Sequence, residues 1–90
     1  MAESDIHLSD SSDTESFKRI ADELQQTLNG TWITRASGLD QYYWDLAVDG
    51  QVITLHLEHH LGIMLLVEDA DLQWVESERF QAVVRRLQMA

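Results

Sequence analysis

Cysteine is missing altogether from these 90 residues, so neither a disulfide framework nor a thiolate zinc site is open to the chain. No apolar run comes near the ~18 residues that a membrane span needs. The opening stretch, MAESDIHLSDSSDTES, has no basic start and no apolar core; no secretory signal is expected, and the cytoplasm is the default location. Cations are scarce: six Lys and Arg stand against sixteen Asp and Glu, for a formal charge of −10. Nucleic acid is held through its phosphates by Lys and Arg, so it is not an expected ligand. A basic protein partner suits the charge better, with the field steering encounter. The four glycines are accounted for by a helix stop and turns, and no phosphate-cradling loop, GxSxG elbow or HExxH pair is present.

A chain this short holds one domain with one modest core. Residues 1–11 place Glu3, Asp5 and Asp10 among serines with only Ile6 and Leu8 to bury, and are read as a disordered acidic tail; residues 12–90 form the domain. A first helix is expected over about residues 13–29. Ser12 and Glu15 make a capping box, Phe17, Ile20, Ala21, Leu24 and Leu28 recur at helical spacing, and Asn29-Gly30 is a stop.

The stretch TWITRAS has the bias of a short strand, and QYYWDLAVDGQVITLHLEHH carries Asp49-Gly50, the signature of a two-residue hairpin turn. That turn pairs Val48 with Gln51, Leu46 with Ile53, Trp44 with Leu55 and Tyr42 with Leu57, collecting the large apolar side chains on one face. Tyr43, Asp45 and Ala47 lie on the other, against His56, Thr54 and Val52. The next strand, Ile63 to Val67, is apolar throughout, and its facing cannot be read from its period. A two- or four-residue loop would place Met64 and Leu66 with Leu55 and Leu57, and turn Ile63, Leu65 and Val67 outward beside His56 and Thr54. The segment DADLQWVE reads as a connector in which Leu72, Trp74 or Val75 caps the core edge. A second helix follows, with Ser77 as N-cap and Phe80, Val83, Val84 and Leu87 inward. The expected fold is α+β: helix, four-stranded antiparallel meander, helix, with both helices on the Trp44–Leu55 face.

The run QYYWDLAVDGQVITLHLEHHLGIMLLVED between two helices resembles a family of small proteobacterial proteins recorded as a domain of unknown function, over about residues 15–88. The resemblance implies this fold and a bacterial source, and brings no activity and no site.

The densest chemistry lies in LHLEHHLG, residues 55–62. If the strand ran through it, His56, Glu58 and His60 would share a face and His59 would point away. The Cα atoms of His56 and His60 would then be roughly 13 Å apart, too far for one ion at metal–nitrogen distances near ~2.1 Å. No metal or other cofactor is therefore expected, and the cluster is read as a solvated sheet face and turn. The expected function is a small acidic non-catalytic protein-interaction module, in the manner of an adaptor, an immunity-type inhibitor or a secretion chaperone. Its candidate interface is the second sheet face: Ala47, Val52, Thr54, His56, Glu58 and Leu65, with self-association the simplest cover for exposed apolar area. The alternative is a metal-dependent or acid–base enzyme using Tyr43, Asp45, His56, Glu58 and His60.

Overall fold

The computed structural model describes residues 5–89. Its order is β1 (Asp5–Ser9), α1 (Thr14–Leu28), β2 (Thr31–Ser37), β3 (Gln41–Val48), β4 (Gln51–Glu58), β5 (Gly62–Leu66), α2 (Leu72–Val75) and α3 (Glu78–Met89). The strands form one antiparallel sheet in the order β1-β5-β4-β3-β2. The α+β class and the β2-to-β5 meander match the sequence reading, but the sheet has five strands rather than four.

The fifth strand comes from the segment read as a disordered tail. Residues 5–9 pair with β5, and Leu8 is buried in the core; residues 1–4 of that expected tail lie outside the described residues. Two apolar side chains suffice because Ile6 and Leu8 alternate onto a face that is already apolar, while the backbone satisfies the edge of β5. Between β1 and β2 the chain must cross the whole sheet, and α1 makes that crossing. Its N-cap is Asp13, whose carboxylate accepts from the Ser16 amide at 2.6 Å, in place of the expected Ser12. Asn29, left-handed at φ 57°, closes its other end.

The β3–β4 hairpin has the register that Asp49-Gly50 predicts: Val48↔Gln51, Leu46↔Ile53, Trp44↔Leu55 and Tyr42↔Leu57. Both turn residues have positive φ, as a type I′ turn requires. The β5 facing differs from the even-loop expectation. Glu58 pairs with Gly62, leaving the three-residue loop His59–Leu61, and an odd loop pairs odd residues with odd ones. Leu65 therefore sits opposite Leu55 and Ile63 opposite Leu57, both fully buried, and Met64 and Leu66 face outward beside His56 and Thr54. Gly62 makes the loop feasible, with φ 89° and with a position where any Cβ would overlap the Ser9 carbonyl of β1.

Both long helices cover the face of Leu46, Ile53, Leu55 and Leu65, with Phe17, Leu24, Phe80 and Leu87 buried in the same cluster. The Phe17 ring stands edge-on to Tyr42 and Trp44, with centroids 5.2 and 5.0 Å away. Within the expected connector, α2 buries Val75 and sets Trp74 on Phe80 at 4.7 Å, while Leu72 stays exposed. Trp74 Nε1 and Arg79 both donate to Asp49, tying the hairpin turn to the start of α3.

Candidate functional site: the uncovered sheet face

Among the described residues, no helix packs on the second face of the sheet. Alternation along the strands brings Gln41, Tyr43, Asp45 and Ala47 from β3 beside Val52, Thr54, His56 and Glu58 from β4. Met64 and Leu66 follow from β5, with Asp5 and His7 from β1. Of the six expected interface residues, Ala47, Val52, Thr54, His56 and Glu58 lie together there. Leu65 does not: it is fully buried on the helix side, because the odd loop reverses the parity of β5. Its place is taken by Met64 and Leu66, both half-buried, which the same apolar run offered once its facing was known.

His56 differs from the solvated sheet residue expected of it. Only 5% of its surface is exposed, since the ring lies in the middle of the sheet under the Tyr43 ring, stacked at 4.2 Å with 22° between planes. Its Nδ1 is 3.0 Å from the Tyr42 carbonyl oxygen. A carbonyl can only accept, so Nδ1 carries a proton and donates. Nε2 is 3.6 Å from a Glu58 carboxylate oxygen.

The remaining members of the proposed acid–base group point elsewhere. The Tyr43 hydroxyl donates to Gln41 Oε1 at 3.1 Å, and Asp45 accepts from the Thr54 hydroxyl at 2.6 Å. β4 ends at Glu58, so His59 and His60 sit in the loop, ring against ring at 4.8 Å, and His60 does not continue the line of His56 and Glu58. Among the described residues, no three His, Cys, Asp or Glu side chains gather around one point suited to a metal ion.

Charge is segregated across the sheet. All six cations lie on the helix side: Lys18 and Arg19 on α1, Arg79, Arg85 and Arg86 on α3, and Arg35 on β2, with its guanidinium 4.9 Å above the Trp44 ring. Among the described residues, the uncovered face holds Asp5, Asp45 and Glu58 and no Lys or Arg. On the helix side a groove of about 600 Å³ opens between β1, α2 and α3, floored by Ile6, Val67, Leu72, Val75 and Val84. Sequence reasoning missed it because one wall is β1, assigned there to a tail.

A single α+β domain with helices on one face and an acidic, partly apolar sheet on the other is the class these features define. The chain belongs to the family described as Protein of unknown function (DUF3630), whose model matches residues 1–86. It matches no curated protein and no solved structure. Among the described residues, no helix is long and apolar enough to cross a membrane.

Proposed function

We propose that this chain is a small, non-catalytic interaction module of the bacterial cytoplasm, and that its uncovered sheet face receives a basic protein partner. One observation carries the reading: Tyr43, Val52, Met64 and Leu66 lie uncovered by any helix of the described residues, beside the carboxylates of Asp45 and Glu58 and with no Lys or Arg on that face. Aromatic and Met side chains are enriched in protein interfaces, and an acidic surround favours a cationic partner while filtering out others. An adaptor, an inhibitor of a basic toxin or a chaperone that masks a basic surface would each use the face in this way. Two copies meeting through it would bring their carboxylates together, which disfavours self-association by that route.

The acid–base alternative has the His56–Glu58 contact in its favour. Burial weighs against it, because an imidazole with 5% of its surface exposed, capped by Tyr43, offers a substrate almost no access. Affinity capture from the source organism at low salt, with wild type and Val52→Glu side by side, tests the proposal. A basic protein retained by the first and lost by the second is the expected result; equal retention by both refutes the face assignment.

A further inference from the structure

The two edges of the sheet are finished differently. At β1 the edge is guarded: α3 runs alongside, and Gln88 Nε2 donates to the His7 carbonyl at 2.9 Å. At β2 no described residue outside the sheet hydrogen-bonds to the strand backbone, and six of its seven residues are exposed. An open edge is a row of unmet donors and acceptors, and natural edges are usually blunted by a projecting charge, a proline, a short length or a bulge that twists the strand away. Here the strand is seven residues long and has no proline, and its single charge, Arg35, is folded back over Trp44. The one such device is the bulge after Trp32, near the start of the strand, which leaves Ile33 56% exposed; from Thr34 to Ser37 the register is unbroken, and Leu39 in the following turn is fully exposed.

The occupant is indicated by charge. Residues 31–39 contain no carboxylate, in a chain that has sixteen. This is the stretch of sheet boundary along which two copies of a strongly acidic protein can approach with least repulsion. We infer that β2 pairs with β2 of a second copy, antiparallel about a two-fold axis near Thr34, joining two five-stranded sheets into one of ten. That register sets Ile33 of each copy against Arg35 of the other, so the two guanidinium groups do not face each other. Main-chain bonds along one seven-residue strand, with few large side chains, give a reversible dimer in the micromolar range. The pairing leaves both acidic faces open on the same side of the joined sheet, so it stands whether or not the partner proposed above exists.

Sedimentation equilibrium across micromolar concentrations reads the association directly. Wild type should move from one chain mass to two as concentration rises. Ile33→Lys, at an exposed position where an ammonium would meet the other copy's Arg35, should weaken the dimer about tenfold or more. Val52→Glu, on the open face, should leave the dimer as it was. Concentration-dependent slowing of amide exchange in residues 31–37 of the wild type locates the contact without any substitution. A wild type that stays monomeric into the millimolar range overturns the inference, as does a dimer that Val52→Glu dissolves and Ile33→Lys leaves intact.

Discussion

Leu65 and Leu66 are neighbours of identical composition whose fates the three-residue loop decides, and truncating each to alanine isolates that decision. Leu65 is fully buried, opposite Leu55 on one side and Ile6 on the other, with the helices above. Emptying such a site removes the transfer free energy of the lost methyl groups and leaves a void, for a cost of about 3–4 kcal/mol. Against the roughly 5–15 kcal/mol that holds folded domains together, that is a large share. At 90 residues it should lower the melting temperature by about 15 °C or more. Leu66 points to the uncovered face and is only half-buried, so Leu66→Ala should cost about 1 kcal/mol or less. Urea unfolding followed by circular dichroism measures both, with an unchanged slope showing that the comparison is of like with like. A larger loss from Leu66→Ala than from Leu65→Ala would refute the odd-loop register and return Leu65 to the outer face.

Three further outcomes are expected. Deleting residues 1–9 should destabilise the domain substantially by baring the edge of β5 and the space left by Leu8; an unchanged thermal melt would show that β1 contributes nothing. His56→Ala should cost about 1–3 kcal/mol in urea unfolding, since it removes the donor to the Tyr42 carbonyl and the ring beneath Tyr43, whereas a neutral change would mean the histidine is solvated after all. Asp49 is held below its ordinary pKa by the Trp74 indole N–H and by Arg79, and Asp13 by the Ser16 amide and the Ser11 and Ser16 hydroxyls. A folded-state pKa below the unfolded one gives stability that is present above the unfolded value, near ~3.9, and is lost as pH falls through the folded value. Unfolding titrations should therefore show the Asp49→Asn difference at neutral pH shrinking only below about pH 4, and a difference that vanishes between pH 5 and 7 would contradict the assignment.

The hairpin was legible from sequence because two independent signals agreed, the Asp-Gly turn and the alternation of Tyr42, Trp44, Leu46, Ile53, Leu55 and Leu57. Both long helices were equally plain from their apolar spacing. β5 was not, since a strand apolar at every position carries no period, and its facing depends on whether the loop after Glu58 holds an even or odd number of residues. β1 was hidden for a different reason: its tertiary partner, the open edge of β5, lies more than fifty residues away, and the alternation of Ile6 and Leu8, set among serines and acids, is too short to mark a strand by itself. The same two misreadings account for the site. Five of six face residues follow from the hairpin alone, Leu65 was misplaced with β5, and the burial of His56 depends on Tyr43 lying flat across it, which no spacing rule foretells.

The uncovered face is best tested by oxidative footprinting of the chain with and without its captured partner, because that face carries a tyrosine and a methionine and the helix side supplies an internal control. Tyr43 and Met64 belong to the face, while Met89, 86% exposed at the end of α3, lies away from it. The account predicts that the partner shields Tyr43 and Met64 and leaves Met89 oxidised at its original rate. Protection of Met89 with Tyr43 and Met64 unchanged would contradict it.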